Sequence, residues 1–169
     1  MNRRKIITFV VSGVVTIILC FLCLNIYHIV QVKLNAVQQS KNIPAVSFYS
    51  LKGEIMSLSQ QATQADTLII NLFHPECEHC QYMASTFQEH IPKLKHTRIV
   101  MISQADSVDI SNFSNTYRLS DMCNLVVLQD KRFQFNKFFG TSVVPSFFIY
   151  ANGRLIKKII GETKFANLF

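Results

Sequence analysis

"TLIINLFHPECEHC", residues 67–80, reads as an apolar run, a break, and two cysteines three positions apart. The run TLIINLF (67–73) has the length and residue types of a buried strand, and Pro75 interrupts it. Beyond Cys77, the apolar positions Cys80, Met83, Ala84, Phe87 and Ile91 recur with helical spacing until Pro92. The pattern predicts a helix that opens at Cys77. That cysteine therefore falls on the first turn of a helix that follows a buried strand.

The placement has a chemical consequence. A helix N-terminus presents unpaired N–H groups and the positive end of the helix dipole, and both stabilise an anion. The reactive form of cysteine is the thiolate, and such a setting lowers a free thiol pKa of about 8.5 to somewhere between about 3.5 and 7.5. Cys77 is thus expected as a nucleophile and Cys80, one turn inward, as the resolving thiol. Three residues of helix bring the two sulfurs close enough to close a disulfide with little backbone movement. His79, if protonated, would favour the Cys77 thiolate, whereas Glu76 and Glu78 would disfavour it. The two glutamates also fit a plainer role as solvated acids on a first helical turn.

A metal site is the rival reading of His74, Cys77, His79 and Cys80. Tetrahedral zinc draws a second ligand pair from elsewhere, and no second C-x-x-C or H-x-x-x-H follows. Cys123 with His90 or His96 could contribute, but nothing in their spacing requires it. Covalent haem is excluded because Gln81 stands where C-x-x-C-H needs histidine. No cofactor or resident metal is expected. Cys20 and Cys23 also spell C-x-x-C, yet they lie inside an apolar span where a thiol stays protonated and unreactive. Cys123, alone before an apolar run, is expected in the core.

Further out, "RIVMIS" (98–103) and "NLVVLQD" (124–130) read as two more buried strands, with a helix over 106–117 between them. "FNKFFG" (135–140) suits a short helix stopped by Gly140. "PSFFIY" and "RLIKKII" are joined by "ANG", and Asn152-Gly153 is a strong hairpin signal. Strands and helices alternate and a hairpin closes the order, which is an α/β arrangement with an antiparallel edge.

The 169 residues carry a formal net charge of +7, unevenly placed. The first 42 positions hold Arg3, Arg4, Lys5, Lys33 and Lys41 and no acid, so the remainder is nearly balanced. No strongly basic domain is left to track nucleic-acid phosphates, and nucleic acid is not an expected partner. From Ile6 to Val32 there is no Asp, Glu, Lys or Arg. About 20 such residues cross a hydrocarbon core of roughly 30 Å. The cluster Arg3-Arg4-Lys5 predicts a cytoplasmic N-terminus. No small-residue cleavage pattern follows the span, and Leu19 and Leu22 stand where a lipoprotein site needs small residues before Cys20 or Cys23. The expected organisation is a basic segment (1–5), a transmembrane anchor (6–30), a polar linker (31–42) and one domain (43–169).

"LIINLFHPECEHC" together with "GTSVVPSFFIYANGRLIKKIIG" resembles the membrane-anchored thioredoxin-like thiol-disulfide oxidoreductases of the TlpA and ResA type, over residues 43–161. "IPAVSFYSLKGEIMSLS" (43–59) is similar to that family's N-terminal hairpin, with Gly53 at the turn. The resemblance implies a thioredoxin-like α/β fold: a central mixed sheet flanked by helices, with an N-terminal hairpin and a single N-terminal transmembrane helix. It implies that Val144-Pro145 is a cis peptide beside the cysteines whose backbone holds an extended substrate. It also implies disulfide exchange with extracytoplasmic or periplasmic proteins, as a reductase supplied with electrons by a membrane donor.

The chain departs from the pattern at several places. Glu76 stands where the family usually has Trp, and Glu78 and His79 replace prolines between the cysteines. Asn71 occupies the position of the buried aspartate of classical thioredoxins, and Met83 that of a ResA-type glutamate, so the proton acceptor for Cys80 is unassigned. The P-x-x-x-[ST]-x-x-C pattern of peroxiredoxins is absent around Cys77. Two other readings stay open: a thioredoxin-fold metal carrier, and an interaction domain whose cysteines no longer react.

Overall fold

The long apolar segment near the N-terminus forms one helix, α1 (Arg3–Gln39), in a computed structural model that describes residues 3–90, 94 and 96–168, with side chains from residue 12 onward. Along Ser12–Gln39 this helix is long and apolar enough to cross a membrane, and none of its most apolar stretch is buried. A core helix of a globular domain would hide such a surface. Pro92, expected to end the helix after the cysteines, lies outside the described residues.

After α1 the chain forms a hairpin of β1 (Ser47–Ser50) and β2 (Ile55–Ser57), turned at Gly53. There follow α2 (Leu58–Ala62), β3 (Thr67–Phe73), α3 (Glu78–Glu89), β4 (Thr97–Ser103), α4 (Ser107–Thr116), β5 (Leu125–Gln129), α5 (Phe135–Phe139), β6 (Ser146–Ala151) and β7 (Arg154–Ile160). Among the described residues, seven strands make one sheet in the order β2, β1, β5, β4, β3, β6, β7. β3, β4 and β5 run parallel; β1, β6 and β7 pair antiparallel to their neighbours. This is the thioredoxin-like architecture, a mixed sheet between helices.

Strands covered on both faces need apolar residues at successive positions, and β3, β4 and β6 have them. Ile69, Phe73, Ile99, Met101, Phe147 and Ile149 face α3 and α4. Leu68, Ile70, Val100, Ile102, Phe148 and Tyr150 face α2 and α5. At the edge, β7 alternates between half-buried and exposed residues and carries Lys157 and Lys158, which discourages pairing with another chain. The β6–β7 turn uses positive φ at both Asn152 (51°) and Gly153 (77°), the conformation that two-residue hairpins favour.

α5 is held by a buried carboxylate. Asp130, 1% exposed, accepts from the backbone N–H groups of Gln134 (3.1 Å) and Phe135 (2.8 Å) and from Gln104 Nε2 (2.9 Å). Asp130→Ala strands the buried Phe135 N–H and takes the partner from two part-buried donors. Since one dry donor costs about 1–3 kcal/mol, a loss of at least about 2 kcal/mol is expected in urea unfolding.

Two sequence expectations change, and one short helix is added. Residues 31–42 are not a loose tether: the helix persists to Gln39, with Ala36 and Ser40 buried against the domain. No proline or glycine interrupts 31–42, and contact with α5 supplies the packing that a helix end needs. Cys123 is exposed and not in the core, because neighbouring Met122 takes the buried place at the entry to β5. The short helix α2 was not read from the sequence; Leu58, fully buried, ties it to the core. Its apolar pattern is too brief to register as a period.

Candidate active site

The register of the central strands determines what lies beside the cysteines. β3 and β6 are antiparallel, with Leu72 opposite Ser146 and Asn71 opposite Phe147. The chain leaving β3 through Phe73 and His74 is therefore beside the chain entering β6 through Val144 and Pro145. Asn71 Nδ2 donates to the Ser146 carbonyl at 3.2 Å, tying the two strand ends together. The Val144–Pro145 peptide is cis. Val144 and Cys77 both pack onto the α3-side core, and the Pro145 carbonyl accepts from Gly161 N–H at 2.8 Å.

Pro75 and Glu76 then turn the chain into α3. The Cys77 N–H donates to the His74 carbonyl at 3.1 Å, and the Glu76 N–H to His74 Nδ1 at 3.3 Å. Gln81 Nε2 donates to the Pro75 carbonyl at 2.9 Å, closing the turn from the helix side. Cys77 is the N-cap of α3, with extended backbone, and its Sγ accepts from the Cys80 N–H at 3.4 Å. A backbone N–H of the first helical turn is thus aimed at the Cys77 sulfur.

The two thiols, both free, sit in unlike surroundings. Cys77 is half-buried, whereas Cys80 is 1% exposed beneath it. Burial, the hydrogen bond with Cys77 and the charge of Cys77 push the Cys80 thiol up to about 12 from 9.0. The raised value favours the neutral thiol in the folded state. The reduced protein therefore has this contribution in full below about pH 9 and loses it as pH climbs towards about 12. In urea melts of the reduced protein, the alkaline fall in midpoint should be steeper for wild type than for Cys80→Ala. Burial raises Tyr150 also, so part of the alkaline loss remains in the variant.

Glu76, Glu78 and His79 are all exposed. His79 Nδ1 lies 3.2 Å from Glu162 Oε2, a contact absent from the sequence reading. Glu162 follows Gly161, which the Pro145 carbonyl holds at the end of β7, and only that return of the chain brings it to α3. With both side chains more than half exposed, the pair is worth at most about 1 kcal/mol. Glu162→Gln should raise the reduction potential of the pair by no more than about 20 mV, read by equilibration with a thiol buffer. Among the described residues, no three His, Cys, Asp or Glu side chains form a metal-holding group. His90 stacks on Phe165 at 4.2 Å, and Cys123 lies by Arg98 at the opposite end of the sheet.

A buried strand, a cysteine N-cap, a second cysteine one turn in and a neighbouring cis-proline define the class of thioredoxin-like thiol proteins. The chain belongs within it to the AhpC/TSA family, whose model matches residues 39–159. A comparison with curated protein sequences finds no match. Solved structures agree on the fold. A secreted Mycobacterium tuberculosis disulfide oxidoreductase homologous to E. coli DsbE superposes with a TM-score of 0.61 at 16% identity, over 78% of this chain and 93% of the other. DsbF of the same organism gives 0.62 at 17%, over 73% and 90%. A thiol-disulfide oxidoreductase from Bacteroides fragilis gives 0.62 at 16%, over 75% and 96%.

Proposed function

We propose that the protein is a membrane-anchored, TlpA-like thiol-disulfide oxidoreductase that reduces disulfides of extracytoplasmic proteins, with Cys77 as nucleophile and Cys80 as resolving thiol. The observation that carries this reading is the inequality of the two thiols: one half-buried at a helix start, the other buried with its pKa raised. Membership of the AhpC/TSA family brings peroxidase chemistry into view. The lack of the peroxiredoxin pattern at Cys77, and a partner thiol one turn away, favour exchange instead.

The Cys77 thiolate attacks one sulfur of a substrate disulfide; an S–S bond forms to Cys77 and the other substrate sulfur leaves as thiolate, to be protonated by solvent. Cys77 is now neutral, and its charge no longer opposes ionisation of Cys80. Cys80 gives up its proton, attacks Cys77 Sγ and expels the second substrate thiol. Two electrons have passed to the substrate, and the protein holds a Cys77–Cys80 disulfide. Val144 and Pro145 line the substrate's approach in this reading, while Glu76, Glu78 and His79 tune the thiolate through charge.

Regeneration needs two electrons from a donor. An exported compartment is oxidising, so that donor is a membrane protein that passes electrons across the bilayer. α1 keeps the domain beside it, with the N-terminus cytoplasmic.

The test is the reduction potential of the full chain in detergent micelles, with the Cys77–Cys80 pair followed by thiol trapping and mass analysis. A two-electron transition at about −270 mV, with insulin reduced and no comparable turnover of hydrogen peroxide, supports the reductase. A value near −120 mV makes it an oxidant. The absence of a Cys77-dependent transition sinks the proposal.

A further inference from the structure

The last turns of α1 are clamped to the domain, and the clamp has a direction. At the hairpin end of the sheet, the Leu155 N–H donates to the Lys41 carbonyl (2.9 Å), the Ile43 N–H to the Gly153 carbonyl (3.3 Å) and Tyr150 Oη to the Ser40 carbonyl (2.9 Å). One turn earlier, Ala36 is fully buried against Gly140, where an added Cβ would lie 3.4 Å from that of Ala36. Gly140 follows Phe139, whose ring packs 4.8 Å from Phe148, two residues along β6 from Tyr150 towards Pro145. Earlier still, His28, Ile29, Val32 and Lys33 line a cavity of about 280 Å³ with Asn136 and Gly140.

α5 itself starts beside Asp130, whose N–H is held by the Ser103 carbonyl where β4 and β5 end. Followed backwards from Ser40 to His28, α1 therefore climbs from the hairpin end to the carboxyl ends of the parallel strands. Its apolar length continues in that direction. Cys77 and Pro145 occupy the same end of the sheet.

A loop at that end has the composition of a membrane contact. Lys131, Arg132 and Phe133 are all exposed, Phe133 to 67%, between the end of β5 and the start of α5. Phe133 has a φ of +51°, sparsely occupied by bulky residues, in a turn closed by its N–H on the Asp130 carbonyl at 3.2 Å. Lys131 and Arg132 lie against the Tyr49 ring, 5.2 and 5.8 Å from its centre. An exposed aromatic flanked by cations suits the boundary between anionic headgroups and acyl chains. The exposed acids at this end, Glu76, Glu78, Asp106, Asp109 and Glu162, stand at the starts of α3 and α4 and after β7, whereas the loop into α5 carries Lys131 and Arg132.

We propose that Lys131, Arg132 and Phe133 rest on the anionic lipid surface of the membrane that α1 enters, holding the Cys77 end of the domain towards the bilayer with the acidic edge free. The thiols and disulfides that reach Cys77 are then those displayed close to the membrane surface. This inference rests on the reading of α1 as an anchor and is independent of the redox chemistry.

The chain has no tryptophan, so one introduced residue is a clean probe. Full-length Phe133→Trp and Ile156→Trp, the latter on β7 and 63% exposed, are each reconstituted into vesicles of phosphatidylethanolamine and brominated phosphatidylglycerol. The expected result is blue-shifted, strongly quenched emission for Trp at 133 and unquenched emission at 156. Adding Lys131→Glu and Arg132→Glu should relieve the quenching at 133 while the protein still floats with the vesicles. Equal quenching at both positions, or none at 133 in protein that floats, overturns the docking and leaves the anchor intact. Failure to float overturns both.

Discussion

Cys80→Ser should accumulate as a stable mixed disulfide with its substrates, joined through Cys77, and should turn over no substrate. The prediction follows from the depth of the two sulfurs. Attack needs the half-buried Cys77, which Cys80→Ser leaves with a hydrogen-bond donor, because the donor at 3.4 Å is a backbone N–H. Release needs a second sulfur one turn inside, and serine cannot form the S–S bond. Non-reducing gels of membranes carrying the variant should show adducts that collapse with dithiothreitol. Cys77→Ser should show none, with exchange down to the uncatalysed rate, and should do so without loss of fold. If the two variants trap equally, the roles assigned to the two cysteines are wrong. The same trap isolates the substrate.

The largest stability effect is expected at Phe148. Its fully buried ring meets Phe135 edge-on at 5.9 Å and Phe139 at 4.8 Å, and Lys158 Nζ lies 5.0 Å from its centre. Truncation to alanine removes the aromatic junction between β6 and α5 and leaves a cavity in rigid surroundings, at a cost of about 3–5 kcal/mol. Single domains hold only about 5–15 kcal/mol in all. Phe148→Ala should therefore lower the urea midpoint sharply. It should also loosen α1, because Ala36 packs on the turn that follows Phe139. Protease sensitivity near residues 36–43 should rise with it. A midpoint within experimental error of wild type would show that the α5 layer contributes little.

Local signals were strong where a single element determines its own form. Residues 67–73 are apolar at all positions but Thr67 and Asn71 because β3 is covered on both faces, and a run of that kind is visible without a partner. Cys77 at a helix start was legible because Pro75 and the spacing of Met83, Ala84 and Phe87 are local facts. Asn152-Gly153 encodes its turn in two residues. Contacts across the chain left no such trace. Glu162 reaches His79 only because β7 runs back to the Pro145 carbonyl, 83 positions from the histidine it meets (162 − 79). Residues 31–42 look like a polar tether because their one buried apolar position, Ala36, is small and finds its partner in Gly140.

By itself, then, the sequence determined the order of strands and helices apart from α2, the apolar helix long enough for a membrane, and the placing of Cys77 at the head of α3. Each of these depends on residues within a turn or two of one another, where periodicity and proline or glycine chemistry act directly. Only the tertiary structure decided that Cys80 is the buried thiol, that Val144–Pro145 adjoins the end of β3, and that α1 climbs towards the cysteine end of the sheet. Burial depends on everything packed around a group, and strand register and helix direction are set by side chains distant in the chain. The exposed loop at Phe133 belongs to the same category: its three residues are unremarkable in sequence, and what gives them meaning is the side of the fold on which they stand.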